Sequence, residues 1–173
     1  EPPTAKGYPP TVFSELPQML ERAGPGPEGK GDITAIFTVL VDGDDMNDPI
    51  ADAVRGITDG HIVLDRRIAE KGRYPAIDLL SSVSRTLPEC HSELEYILLT
   101  AAHRALAAHA DMEELIRIGS YRICSNPELD RAIAFSGPCE AFLTQRKSEQ
   151  TEPEVAFSSV ATLLDNAGIS PDG

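Results

Sequence analysis

The spacing of apolar residues changes character part-way along the chain. Pro9 to Ala23 reads as a short helix with a proline-rich entry, and Gly24 to Gly31 (GPGPEGKG) reads as a loop. Ile33 to Val41 is rich in β-branched and apolar residues, the pattern of a buried strand. Asp42 to Asp48 is an acidic turn. Asp48-Pro49 then opens a helix to about Thr58, because Asp caps a helix well and Pro is tolerated at its first position. His61 to Leu64 is a second short strand, Asp65 to Lys71 a brief helix stopped by Gly72, and Tyr74 to Arg85 irregular or extended. From Pro88 onward the period becomes helical. Leu94, Ile97, Leu98, Ala101, Ala105 and Ala108 lie on one face. Further helices are predicted over Asp111–Ile118, Pro127–Gln145 and Pro153–Ala167, with a polar linker from Arg146 to Glu154.

These elements predict an α/β half, residues 1–87, followed by an all-helical half, residues 88–173. Two strands are too few for a stable sheet domain, since sheets average about five or six. The expectation is that further strands belong on the N-terminal side. The chain opens on Glu1-Pro2-Pro3 instead of Met, as a processed chain or a recombinant fragment does.

Composition narrows the classes. Of the 173 residues 41% are hydrophobic but only 5% aromatic, with no Trp, so the core must be aliphatic. The formal net charge of −13 argues against non-specific binding to nucleic acid or to anionic membranes. The three cysteines, Cys90, Cys124 and Cys139, have no CxxC spacing, which indicates neither a disulfide framework nor a zinc site, and fits a reducing cytoplasm. The longest apolar stretch, Tyr96 to Ala110, is broken by His103, Arg104 and His109 and is no membrane span.

Three local patterns invite a chemical reading. Gly24 to Gly31 nearly matches the phosphate-loop pattern GxxxxGK followed by Ser or Thr. Gly31 stands where a hydroxyl must hold Mg²⁺, and Pro25 and Pro27 remove amide donors that the cradle needs. A solvated loop is expected there. Asp42, Asp44, Asp45, Asn47 and Asp48 resemble a calcium loop, but Asn47 occupies the position that requires Gly. A turn and helix cap are expected. His61, His91, His103 and His109 form no HExxH or i, i+4 pair, so no metal site is assigned.

Taken together, three segments resemble the rotary ATPase subunit family. They are GYPPTVFSELPQMLERAG (Gly7–Gly24), the block from Ile33 to Arg85 that contains YPAID and SSVSR, and DMEELIRIGSY (Asp111–Tyr121). The wording is most similar to the flagellum-specific ATPases and their virulence-secretion relatives, with DMEELIRIGSYR tilting toward flagellar. The resemblance covers nearly everything to about Gln145. It implies the C-terminal part of a RecA-like nucleotide domain followed by a helical bundle, in a protein that forms homohexameric rings with ATP and Mg²⁺ between neighbours. The family's phosphate loop, catalytic carboxylate and Mg²⁺-holding Asp would precede this chain, which alone is therefore expected to lack ATPase activity and to bind no nucleotide tightly.

The resemblance implies roles for particular residues. Arg85, which ends SSVSR, corresponds to the arginine finger that reaches the phosphates of a neighbour's ATP. Tyr74 of YPAID corresponds to the tyrosine that packs on adenine. The helical half corresponds to the domain that grips a central coiled-coil stalk, and Glu128 and Asp130 are candidates for meeting a basic stalk protein; alternatively they solvate a helix start capped by Asn126. An ATPase regulator, an export gate and export chaperones are further implied partners, and the implied location is cytoplasmic, at the membrane base of the apparatus. An injectisome ATPase, or a non-enzymatic module binding stalk or chaperones, remains the alternative. Two positions depart from the family wording: Asp65, where a small hydroxyl residue is usual, and Cys124, where Gly or Arg is usual.

Overall fold

A computed structural model describes residues 9–41 and 48–171. The chain forms two compact units, Glu1–His61 and Ile62–Gly173. The sequence predicts a division at 87–88 instead. The physical reason for the difference is that the strand after Tyr74 packs on the helices that follow it and joins their unit.

In the first unit, helix α1 (Thr11–Leu20) places Val12, Phe13, Leu16 and Leu20 toward helix α2 (Pro49–Ile57), where Ile50 and Val54 are buried. Asp48 caps α2: its Oδ1 accepts from the amides of Ile50 (2.9 Å) and Ala51 (3.3 Å). Pro49 at the first helical position needs no donor there. The cap is as predicted; Asp42, Asp44, Asp45 and Asn47 lie outside the described residues.

The predicted buried strand at Ile33–Val41 does not form. Ile33 makes one antiparallel bridge to Gly24, and Ile36 and Leu40 are 93% and 87% exposed. A β-branched run becomes a strand only against partner strands, and among the described residues none lies beside it.

β1 (Gly60–Leu64), which begins in the last two residues of the first unit, and β2 (Ile77–Ser84) make a two-stranded sheet. Between them lies α3 (Arg66–Glu70). Asp65 caps α3 through the Arg67 amide (2.7 Å), so the departing residue does the capping work of a hydroxyl. The Arg67 guanidinium, 2.7 Å away, holds the Asp65 carboxyl below its ordinary pKa.

The remainder is a helical bundle of α4 (Glu93–Arg117), α5 (Pro127–Leu143) and α6 (Pro153–Asn166). Its core joins Leu98, Ala101 and Ala105 of α4 to Leu129, Ala132 and Phe135 of α5 and Leu164 of α6. Alanines at the α4–α5 seam let the backbones approach closely, and Phe135 fills the space beside them. Cys139 lies in the same core, and burial pushes its thiol up to about 11. Helix α4 is continuous where two helices were predicted. Ser92 and Glu95 close a capping box at its start, no Gly or Pro follows until Gly119, and Asp111 has no helix start left to cap. Among the described residues, no helix is long and apolar enough to cross a membrane.

Candidate functional site

Tyr74 and Arg85 flank β2 at opposite ends. Tyr74 follows the reverse turn that ends α3, in which Gly72 (φ +89°) adopts the left-handed backbone that Gly accommodates without strain. The Gly72 amide donates to Ala69 O (2.9 Å) and the Arg73 amide to Ile68 O (3.3 Å), closing the helix end. Tyr74 is 59% exposed, and its carbonyl accepts from the Gln145 amide (2.8 Å) beyond the end of α5.

β2 is not a plain strand. Asp78 Oδ1 accepts from the amides of Leu80 and Ser81, and Ser82 Oγ donates to Asp78 O at 2.6 Å, four residues back. That contact bends the strand sharply. Ser82 Oγ also accepts from the Val63 amide (3.0 Å), so the hydroxyl-rich segment is spent on holding the bend to β1. Ser84 and Thr86 hydroxyls meet at 2.9 Å on either side of Arg85, whose own side chain is exposed.

At the far end of the bundle, the loop between α4 and α5 is organised by Asp130. Its Oδ1 accepts from the Tyr121 hydroxyl (3.0 Å) and its Oδ2 from the Cys124 amide (2.9 Å). Asp130 is thus turned inward. Glu128, in the exposed first turn of α5, remains open to a partner, beside Arg104 and Arg131 at a crevice of about 220 Å³. Cys124 has φ +68°, a left-handed conformation that explains why Gly suits this position. Ile118 and Ile123 on the same loop are 62% and 81% exposed.

The loop Gly24 to Gly31 has no cradle for phosphate. The Gly26 amide donates to Asp32 Oδ1 (3.1 Å), so a carboxylate already sits where an anion would bind. A Cβ at Gly26 would meet Gly31 O at 2.3 Å, which makes glycine necessary for the turn itself.

Sequence reading missed Arg73. Its side chain is 10% exposed, and Nε lies 2.8 Å from Glu140 Oε2, within ion-pair distance although not in hydrogen-bond alignment. The partners stand far apart in the chain, and no local pattern signals the pair.

Comparison with known proteins is consistent along the chain. Residues 1–84 match the ATP synthase alpha/beta family, nucleotide-binding domain, and residues 94–162 match the type III secretion ATPase C-terminal domain. The flagellum-specific ATP synthase of Caulobacter vibrioides is 54% identical over 96% of this chain and 38% of its own. The assembled ATPase EscN of the enteropathogenic E. coli type III secretion system superposes with a TM-score of 0.87 at 41% identity, covering 95% of this chain and 39% of that one. EscN in complex with its central stalk EscO gives 0.81 at 39% identity, over 95% and 38%. The chain spans less than two fifths of the length of the curated relatives it matches. With both halves matched in order, it belongs to the ATP synthase alpha/beta family, among the flagellum-specific and type III secretion ATPases.

Proposed function

We propose that the complete protein is an ATP-hydrolysing motor subunit that energises flagellar protein export. The observation that carries this reading is the pair of exposed side chains at opposite ends of β2. Tyr74 is a platform for the adenine of the subunit's own nucleotide, and Arg85 is a finger for the neighbour's. One bent strand thereby serves two faces of a ring. Phosphoryl transfer spreads charge over the γ-phosphate oxygens, and a permanently charged planar guanidinium suits that charge. The ring is a homohexamer, supported by the likeness to assembled EscN, and ATP with Mg²⁺ is bound between subunits. Identity of 54% to the Caulobacter flagellar relative, against 48% to the SPI-2 type 3 secretion system ATPase of Salmonella typhimurium, favours the flagellar over the injectisome system. We place the protein in the cytoplasm at the membrane base of the apparatus, serving a regulator, an export gate and export chaperones. Residues 1–87 and 88–173 are its functional division, supported by the two matched ranges.

The base platform is tested in the complete subunit. Tyr74→Ala should raise KM for ATP about tenfold and Tyr74→Phe should leave it near wild type, because stacking needs the ring and not the hydroxyl. An unchanged KM in Tyr74→Ala would remove the adenine assignment.

A second role rests on the α4–α5 loop. Exposed Ile118 and Ile123 of this loop, with Glu128 in the first turn of α5, suit a basic coiled-coil stalk, and Asp130 acts by shaping the loop. Glu128→Lys should weaken stalk binding about tenfold at low salt, with the difference shrinking as salt rises. Equal binding by both proteins at low salt counts against the acidic contact.

A further inference from the structure

Tyr74 is held by contacts that come from the helical bundle. Its carbonyl accepts from the Gln145 amide, and the preceding Arg73 reaches Glu140 of α5. Between the start of β2 and the end of α5 lies a crevice of about 120 Å³, lined by Arg73, Pro75, Ile77, Phe142 and Leu143. A joint with open space beside it slides unless directional contacts hold it. One hydrogen bond, from the Gln145 amide, and one ion pair are present, and the ion pair engages a side chain almost wholly removed from water.

A buried guanidinium deprived of its carboxylate is strongly unfavourable, so Arg73 is held at Glu140 although the carboxylate itself is 55% exposed. The nearby Lys71–Glu113 pair, 3.3 Å apart, is exposed on both sides and holds little. On the α3 side, the Gly72 turn is closed by its own backbone hydrogen bonds. The Arg73–Glu140 pair is thus the side-chain contact that links this turn to α5.

We propose that Arg73 is a positioning residue for nucleotide binding: paired with Glu140, it ties the Tyr74 platform to α5 and fixes where the ring stands to receive the base. This rests on the reading of Tyr74 as the adenine platform. Arg73 touches no nucleotide; it acts through the tyrosine beside it. Ground-state binding of the base is what depends on it, and the phosphate chemistry is left alone.

The test is steady-state hydrolysis by the complete subunit. Arg73→Met should raise KM for ATP about tenfold while kcat stays within about twofold, the signature of lost uniform binding. Glu140→Gln should move KM in the same direction by less, and it keeps the reading available if Arg73→Met does not fold. The exchange Arg73→Glu with Glu140→Arg should recover most of the KM that Arg73→Glu alone loses, a rescue that a merely space-filling role would not produce. Unchanged KM in Arg73→Met and Glu140→Gln, alongside a raised KM in Tyr74→Ala, overturns the proposal. So does an exchange no better than Arg73→Glu alone. If Tyr74→Ala itself leaves KM unchanged, the platform reading falls, and this proposal with it.

Discussion

Replacing Arg85 with Ala in the complete, ring-forming subunit is expected to lower kcat by about 10³–10⁵ while ATP binding changes little, because the finger's contribution is made to charge that develops only in the transition state. Arg85→Lys should restore little, since an ammonium is a compact point charge without the planar fork. The exposed placement of Arg85 just past β2, away from Tyr74, adds a further expectation. A mixed ring of Arg85→Ala subunits and subunits that cannot bind phosphate should regain activity. At some interfaces an intact site of the first kind then meets an intact finger of the second. Normal hydrolysis by intact Arg85→Ala rings would remove the assignment, and mixed rings as inactive as their parents would count against action across the interface.

The second large effect is on stability. Phe135 is 1% exposed and sits at the meeting of α4, α5 and α6. Phe135→Ala should destabilise the bundle by about 3–5 kcal/mol, the lost transfer of the ring plus the cavity left behind. In urea this moves the unfolding midpoint down by about 2 M. Phe135→Leu should cost clearly less, because it leaves a smaller void. A midpoint within a few tenths of a molar of wild type for Phe135→Ala would mean that the core collapses around the gap, contrary to the packing described. Glu140 follows the core residue Cys139 in α5, so a loosened bundle should also loosen the hold on Arg73.

Local structure was legible where local chemistry decides it. Asp48 and Asn126 were readable as caps because a short acceptor before Pro has few other uses at a helix start. The false phosphate loop was readable from Pro25, Pro27 and Gly31. Two local readings failed for the same kind of reason. Ile33–Val41 has the residues of a strand, but a strand is completed by its neighbours. Asp111 resembles a helix start, but an uninterrupted helix already ran through it.

The roles proposed for Arg85 and Tyr74 come from family wording, not from their own chemistry; neither an Arg after hydroxyl residues nor a Tyr before Pro announces a role. The residues alone determined the helix caps, the apolar faces of the bundle and the family to which the segments belong, because each depends on neighbours within a few positions or on the wording of a continuous block. Tertiary structure alone decided that β2 bends around Asp78, that Asp130 turns inward while Glu128 stays open, and that Arg73 is buried against Glu140. Those outcomes depend on which surfaces meet after the chain folds back on itself, and a pair brought together from two distant segments leaves no periodic trace in either.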